Sequence, residues 1–223
     1  MRARTKEPTP DAVKKEGKVR QRLSTQEREQ QILQGAIKFF SERGLEGQTR
    51  DLAKDIGITH PLLYHYFPTK QALIDRVYQE VYLGRWKREW ETWLDEKDTG
   101  LEEKLARFYL DYAATILTPE WVRILVFSGL NDGSIPDKYL GLLKQKLFPR
   151  IVTETRKHLG LPLRGKITER ENEHAWGLHG GIFYIGIRQW VYNLPGPENL
   201  TEVIQDRVHA YIVAAQEMFG GDK

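Results

Sequence analysis

Cysteine is absent from the 223 residues of this chain, which limits both its chemistry and its compartment. Without thiols the chain can form neither disulfides nor thiolate metal sites. The composition therefore fits a reducing environment, and we expect a cytoplasmic protein. The first 18 residues are polar and basic and hold no apolar segment, so no secretory signal is expected.

A clearly membrane-spanning run is also lacking. Residues 175–192 come nearest, because they are largely apolar, yet they include His179, Arg188 and Gln189 as well as several glycines. A helix that is apolar on all sides is typical of one buried between neighbours. The run therefore predicts a buried helix, and no membrane partner is expected.

Enzymatic motifs are missing as well. The sequence has no P-loop, no glycine-rich dinucleotide fingerprint and no His-Glu-x-x-His zinc motif. Glu171-x-x-His174 has the spacing of half a di-iron site, but such a site needs a second copy, which the chain lacks. We expect no catalytic residues, no metal and no cofactor, and we predict that the chain is not an enzyme.

Strand-like alternation does not occur, whereas helix signals recur along the chain after Ser24. Ser24-x-x-Glu27 and Thr168-x-x-Glu171 have the capping-box pattern, and Thr201 is predicted to cap the last helix. These signals predict an all-α fold of about nine helices. The fourth helix is predicted over 70–97, the eighth over 168–194 and the ninth over 201–219.

The most informative segment that is present runs over residues 57–73. Gly57 supplies the backbone freedom of a sharp turn, Thr59 can cap the helix that follows, and Pro61 is tolerated in its first turn. Leu63 and Phe67 are four residues apart and are predicted to point inward. This pattern predicts the second half of a helix-turn-helix, with the neighbouring polar and aromatic side chains left outside.

Lys70 is unusual because a cation at the start of a helix opposes the helix dipole. The position becomes favourable if a phosphate binds there, held by the free N–H groups and the ammonium together. Thr69 precedes it as the predicted cap. Lys70 therefore indicates a phosphate contact.

The segment from Gln48 to Leu73 resembles the DNA-binding segment of the TetR family of bacterial transcriptional regulators. That resemblance rests on Thr49, Gly57, the run Leu63-Tyr64-His65-Tyr66-Phe67, and Lys70 three residues beyond the phenylalanine. It implies a threonine-capped helix followed by a recognition helix, and the helix order of the whole chain also matches the family. The implied protein is a ligand-responsive, sequence-specific DNA-binding regulator, a repressor released by a small effector.

The resemblance and the helix geometry together imply the DNA-binding residues. Base edges are expected to be read by the start of the recognition helix and by Arg50, and phosphates to be bound by the side chains around it. Leu62 departs from the small or polar residue common in the family, so no specific bases are assigned. The predicted DNA-binding set is Gln48, Thr49, Arg50, Thr59, His60, Pro61, Leu62, Tyr64, His65, Tyr66 and Lys70.

Three domains are predicted: a basic arm (1–23), a helix-turn-helix head (24–70) and a ligand-binding and dimerisation domain (71–223). Residues 1–22 carry eight Lys/Arg against three acidic residues, which suits a phosphate or minor-groove contact but equally a solvated tail. A non-specific architectural DNA-binding protein is the alternative function.

A palindromic operator requires a two-fold dimer, for which the eighth and ninth predicted helices are the candidates. The ninth carries an apolar stripe and the eighth carries glycines that would allow close backbone approach; the alternative is a monomer that uses both helices internally. The stripe consists of Ile204, Val208, Tyr211, Ile212, Ala215 and Phe219, and the glycines are Gly177, Gly180, Gly181 and Gly186.

Six tryptophans are many for a chain of this size. The resemblance implies a cavity for a small-molecule effector among the fourth to eighth helices, and an aromatic lining would favour a flat or apolar ligand, with a cation as an alternative. Ordinary core packing is the competing explanation for each aromatic residue. The predicted ligand-binding set is Trp86, Trp90, Phe108, Tyr112, Phe127, Trp176, His179 and Phe183.

Overall fold

A computed structural model describes residues 23–220, so the predicted basic arm lies, apart from its last residue, outside the described part of the chain. Every regular element within that range is helical, which confirms the all-α prediction. The helices are α1 (Thr25–Arg43), α2 (Thr49–Ile56), α3 (His60–Tyr66), α4 (Lys70–Val81), α5 (Arg88–Asp95), α6 (Leu101–Ile116), α7 (Pro119–Leu130), α8 (Ser134–Leu142), α9 (Phe148–His158), α10 (Glu169–Trp190) and α11 (Leu200–Phe219).

The fourth predicted helix is interrupted, and this corrects the sequence prediction. After α4 ends, Leu83–Arg85 forms a 3-10 turn, and Trp86 and Lys87 are extended before α5 begins. Tyr82 donates a hydrogen bond from its hydroxyl to the Trp121 carbonyl in α7, at 2.9 Å. On the other side of the break, Lys87 binds Asp111 of α6. These two anchors lie on different helices, and Gly84 between them weakens a continuous helix.

The helical segment that follows α7 is continuous but irregular. A π-helical segment, Leu143–Leu147, joins α8 to α9 just before Pro149. Proline lacks the N–H group that a regular helix would use there, and a wider turn absorbs the irregularity. When α4 with α5 and α8 with α9 are each counted as one unit, the described chain has the nine predicted helical units.

Helices α1 to α3 form a small head. The capping box of Ser24 and Glu27 is present, as predicted, and the predicted apolar face of α1 is buried. Gly35 allows α1 and α2 to approach closely, since a Cβ atom there would lie 2.5 Å from Cγ1 of Ile56. The buried face consists of Ile32, Leu33, Ala36, Phe39 and Phe40.

The remaining helices build a larger bundle in which α10 and α11 pack against each other and α6 packs against α11. The capping box of Thr168 and Glu171 opens α10 as predicted. The prediction that Thr201 caps α11 is wrong, because Asn199 accepts the hydrogen bond from the Glu202 N–H and the helix begins at Leu200. The head joins the bundle mainly through α1, which packs on α7 and α4.

Between residues 23 and 220, no single helix is both long and apolar enough to cross a membrane. Helices α6 and α7 reach the required length and apolarity only as a pair, and they are bent by 83° at their junction.

Candidate nucleic-acid interface

The turn between α2 and α3 sets the geometry of the head. Gly57 ends α2 in the left-handed conformation, at φ 76° and ψ 36°, which a residue without a side chain adopts most readily. Thr59 then caps α3, and its hydroxyl accepts a hydrogen bond from the Leu62 N–H at 3.4 Å. Both features agree with the sequence prediction.

Leu63 and Phe67 fix the orientation of α3. Both are buried, as their spacing predicts, so they hold the helix against the head. Their burial turns the opposite face outward, where Pro61, Tyr64 and His65 are exposed and Leu62 is half-buried. Tyr66 corrects the prediction of a fully outward aromatic face, because it is half-buried and packs against the core.

Thr49 links the starts of α2 and α3. Its hydroxyl oxygen lies 3.0 Å from Nε2 of His60 and 3.3 Å from the hydroxyl of Tyr64. The rings of His60 and Tyr64 contact each other edge to face, with centroids 4.8 Å apart. The prediction that Thr49 caps α2 is wrong: Gln48 occupies the cap position, and the threonine hydroxyl serves the recognition helix instead.

Thr69 and Lys70 begin α4 at the end of the recognition helix. The Thr69 hydroxyl accepts a hydrogen bond from the Ala72 N–H at 3.0 Å, which confirms the predicted cap. Lys70 is the first helical residue and is half-buried. A lysine in the first turn of a helix, where backbone N–H groups lack intrahelical partners, favours a bound phosphate.

The charges of this face are not neutralised from within the head. Across residues 23–220, neither Arg50 nor Lys70 forms an ion pair, whereas Arg43 is paired with Asp55 at 3.0 Å and Arg76 with Glu80. Arg50 and Gln48 are exposed at the start of α2 and adjoin in sequence Thr49, which contacts His60. The face thus presents hydrogen-bonding side chains beside free positive charge.

The sequence of the head matches the model of a known protein family. The family model described as bacterial regulatory proteins, tetR family, matches residues 32–77, which cover most of the head and the start of α4. This stretch of the chain is therefore similar in sequence to the tetR-family model. Helices α2 and α3, with the turn at Gly57 between them, form a helix-turn-helix within it.

Two curated relatives match part of the chain. The HTH-type transcriptional regulator LuxR of Vibrio harveyi is 35% identical over 63 residues, which are 28% of this chain and 31% of that protein. The nucleoid occlusion factor SlmA of Haemophilus ducreyi is 40% identical over 29% of this chain and 36% of that protein. The chain thus matches about a third of the length of each relative.

The fold similarity extends further than the sequence similarity. A TetR-like transcriptional regulator from Rhodococcus sp. RHA1 superposes with a TM-score of 0.64 at 17% identity, over 90% of this chain and 100% of that one. At this identity the likeness shows the shared fold of the helical bundle, and it assigns no ligand.

Most of the predicted effector residues lie in one aromatic cluster at the centre of the bundle. The Trp90 ring contacts Trp86, Phe108 and Tyr112 at centroid distances of 5.2–5.8 Å. His179 joins the cluster 5.3 Å from Tyr112. The rings contact one another and fill the space in which the sequence predicted a cavity. Further members are Trp176, which contacts His179, and Phe183, which contacts Trp121.

Phe127 is the exception among the predicted effector residues. Its ring lies against Gly44 at the end of α1, where a Cβ atom would be 3.5 Å from Cγ of Phe127. The prediction that Phe127 lines the effector site is therefore wrong, since it lies between the bundle and the head. Tyr109 and Tyr139 are missing from the predicted set, although both are buried in the cluster. Helical spacing alone does not distinguish a ligand-binding aromatic residue from an ordinary core residue.

The two helices predicted to form the dimer interface, α10 and α11, use much of their apolar surface inside the chain itself. Most of the α11 stripe is buried within the chain itself, so it belongs to the internal core. Its buried members include Ile204, Val208 and Ala215. Gly186 is also used internally, against Leu117 and Val122, and Gly181 faces Arg207. A Cβ atom at Gly177 or Gly180 would meet nothing within 4 Å. Tyr184 of α10 and Val213 of α11 are exposed apolar side chains on these two helices.

Glu171 and His174 have structural partners. Arg156 donates hydrogen bonds of 2.5 and 2.7 Å to the Glu171 carboxylate, and these lower its pKa to about 2. His174 Nε2 lies 2.9 Å from the Tyr211 carbonyl oxygen, and its ring stacks on the ring of that residue. Over the described residues, no group of three potential ligands is arranged to hold a metal ion.

Proposed function

We propose that the chain is a ligand-responsive regulator that binds a palindromic operator as a homodimer and represses transcription. The observation that carries this proposal is the outward face of the head. There the hydrogen bond of His60 to Thr49 lies next to the unneutralised charges of Arg50 and Lys70. Side chains that can form hydrogen bonds with base edges, together with cations that have no ion-pair partner in the described residues, suit binding to the major groove and its flanking phosphates.

The residues divide into two roles. The start of the recognition helix reads base edges together with Arg50, through Thr59, His60, Pro61 and Leu62. The sugar-phosphate backbone is bound by Gln48, Thr49, Tyr64, Tyr66 and Lys70, which set the register, and His65 lies on the same outer face. The half-burial of Tyr66 favours a contact through its hydroxyl at the edge of the head.

The dimer forms through α10 and α11. Their outer surfaces support this, because Gly177 and Gly180 leave open space beside the exposed Tyr184 and Val213. One head contacts few base pairs, and two heads related by a two-fold axis bind half-sites about one helical turn apart. Residues 24–70 act as the DNA-binding domain and 71–223 as the effector and dimerisation domain.

An architectural protein that coats DNA without sequence preference is the competing function. Selection of bound fragments from random DNA gives a candidate operator, and fluorescence anisotropy then compares it with a scrambled duplex of equal length and at equal salt. We expect the operator to bind at least about 10³-fold more tightly than the scrambled duplex. Equal affinity for both duplexes would overturn the proposal in favour of architectural binding.

A further inference from the structure

Three polar atoms inside the aromatic cluster have no hydrogen-bonding partner in the part of the chain that the structure describes: the Tyr109 hydroxyl, Nε1 of Trp121 and Nδ1 of His179. All three side chains are at least 95% buried. Buried polar atoms in folded proteins are almost always paired, because an unpaired one has lost its bonds to water without replacement. Three such atoms in one cluster therefore indicate a missing partner.

The three side chains come from different helices but belong to one connected set of aromatic contacts. The Tyr112 and Tyr139 hydroxyls are 2.5 Å apart there, linking α6 to α8. The ring of His179, from α10, lies 5.3 Å from Tyr112 and 6.1 Å from Tyr109. The Trp121 ring, from α7, lies 4.8 Å from Tyr139. A molecule inserted into this cluster would therefore lie among side chains of four helices.

The polarity of the unpaired atoms determines what such a molecule must offer. The indole N–H of Trp121 can only donate, and the free hydrogen of the Tyr109 hydroxyl requires an acceptor. His179 is adaptable, since Nδ1 accepts or donates according to its tautomer. A partner that carries at least one acceptor oxygen or nitrogen is therefore required.

The groups at the centre of the cluster are uncharged, whereas Asp111 and Lys87 lie at its edge, where Trp90 donates a hydrogen bond to Asp111 at 2.7 Å. Burial raises the pKa of Tyr109 and of Tyr112 well above the ordinary value, and burial lowers the pKa of His179 to about 4. These side chains are uncharged at neutral pH, so they offer an ion no counter-charge. Elsewhere in the bundle the buried Glu154 carboxylate is already paired, since it accepts hydrogen bonds from Lys104 at 2.5 Å and from Lys157 at 2.6 Å.

We propose that this cluster binds a neutral, planar aromatic molecule that carries a hydrogen-bond acceptor, with Tyr109, Trp121 and His179 as its polar contacts. This site rests on the proposed ligand response and narrows the effector class, because it disfavours carboxylates and cations. The rings fill the cluster in the free protein, so some must move to admit the ligand. Trp176 and Phe183 are only partly buried and form its edge. An inserted aromatic ring replaces the ring–ring contacts that it displaces.

Four probes with the same naphthalene ring test the class: 2-acetylnaphthalene, naphthalene, 2-naphthoate and (2-naphthylmethyl)trimethylammonium. Calorimetric titration is done on the full chain without DNA, so that a failure of operator recognition cannot affect the result. We expect the ketone to bind at least about tenfold more tightly than the two ions, and more tightly than naphthalene. Binding of an ion or of naphthalene as tight as that of the ketone would overturn the proposal, as would no binding of any probe at 1 mM, on the order of the weakest useful affinity.

Tyr109→Phe and Tyr211→Phe form a matched pair of variants. The Tyr211 hydroxyl is also buried, but it lies 2.8 Å from the Thr155 hydroxyl. We expect Tyr109→Phe to leave the stability of the free protein unchanged or raised while weakening the ketone about fivefold and sparing naphthalene. Tyr211→Phe should lower stability and leave the ketone affinity unchanged.

Equal ketone affinity in wild type and Tyr109→Phe would overturn the assignment of the polar contacts. So would a high-resolution structure in which waters pair the three atoms and remain in place when the ketone binds. If the ketone binds as expected but leaves operator affinity unchanged, the site stands and the proposed ligand response fails.

Discussion

Nε2 of His60 and the hydroxyl oxygen of Thr49 lie 3.0 Å apart, joining the first turn of the recognition helix to the first turn of the helix before it. This contact occupies one ring nitrogen and leaves Nδ1 as the nitrogen that can face a base. Thr49 also lies 3.3 Å from the Tyr64 hydroxyl, so one threonine orients two side chains of the recognition helix. We therefore propose that Thr49 positions His60, the residue proposed to read a base.

The first prediction separates positioning from phosphate binding by Thr49. We expect His60→Ala to cost about 1–3 kcal/mol on the operator and to relax the preference at one position in each half-site. Thr49→Val keeps the side-chain shape but removes the hydroxyl, and it should weaken the operator more than a scrambled duplex. In the double variant the two losses should not add, because both act through one imidazole. Anisotropy titrations measure the affinities of wild type, the two single variants and the double variant for both duplexes. If the two losses add fully and Thr49→Val weakens both duplexes equally, Thr49 contacts phosphate and does not position His60.

Lys70→Ala is the second prediction. We propose that Lys70 binds a phosphate, so its loss should weaken binding to the operator and to a scrambled duplex by a similar factor. The slope of log affinity against log salt should fall in magnitude by about one. Lys97→Ala, an exposed lysine in the loop after α5, is the control and should change neither quantity. A changed base preference with an unchanged salt slope would contradict the phosphate role.

Local signals in the sequence predicted what depends on neighbours along the chain. The capping boxes at Ser24 and Thr168 and the inward pair Leu63 and Phe67 follow from spacings of three and four residues, which a helix fixes by its own geometry. Those predictions are confirmed. The helical pattern therefore gave the element order and the orientation of the recognition helix.

Features that depend on distant partners were missed. The break after α4 follows from anchors 39 residues apart, between Tyr82 and Trp121, which no local pattern records. The Thr49 hydroxyl has a cap-like position in sequence but bonds to a residue 11 positions away. An apolar stripe such as that of α11 looks the same whether it faces its own core or a second chain. Only the packing of the bundle assigns it to the core.

The third prediction concerns acid stability and the ion pair of Arg156 with Glu171. Hydrogen bonds from Arg156 lower the pKa of the Glu171 carboxyl from 4.5 to about 2. A pKa that is lower in the folded state gives stability that is present above the unfolded-state pKa and is lost as pH falls through the folded-state value. Glu171→Gln keeps the capping box but removes the charge, so it should cost at most about 3 kcal/mol near pH 7.

The difference in unfolding free energy between wild type and Glu171→Gln should shrink as pH falls from 4.5 towards 2. Urea unfolding at a series of pH values measures it. Glu102→Gln is the control, because Glu102 pairs with His209 in an exposed position and should show a difference near zero throughout. A difference for Glu171→Gln that stays constant down to pH 2 would show that the charge of this carboxylate contributes nothing.

The last prediction concerns how the bundle communicates with the head. A single rigid fourth helix cannot carry the signal, because α4 and α5 are separated by the break at residues 82–87. Helix α7 offers a direct route instead. Trp121 at its start belongs to the aromatic cluster, and Phe127 near its end lies on Gly44 of α1. A ligand that displaces Trp121 should therefore shift α7 and, through Phe127, the head.

Phe127→Ala should uncouple the two sites while leaving each able to bind. In wild type we expect the effector to weaken operator binding by about 5–150-fold, and the operator to weaken effector binding by the same factor, since coupling is reciprocal. In Phe127→Ala both factors should fall towards one. Leu130→Ala is the matched control, because this leucine ends the same helix but is 81% exposed. Titrating operator with and without 2-acetylnaphthalene, and the ketone with and without operator, gives both factors. Coupling that persists in Phe127→Ala would exclude the α7 route, since the contact between Phe127 and Gly44 would then carry none of the signal.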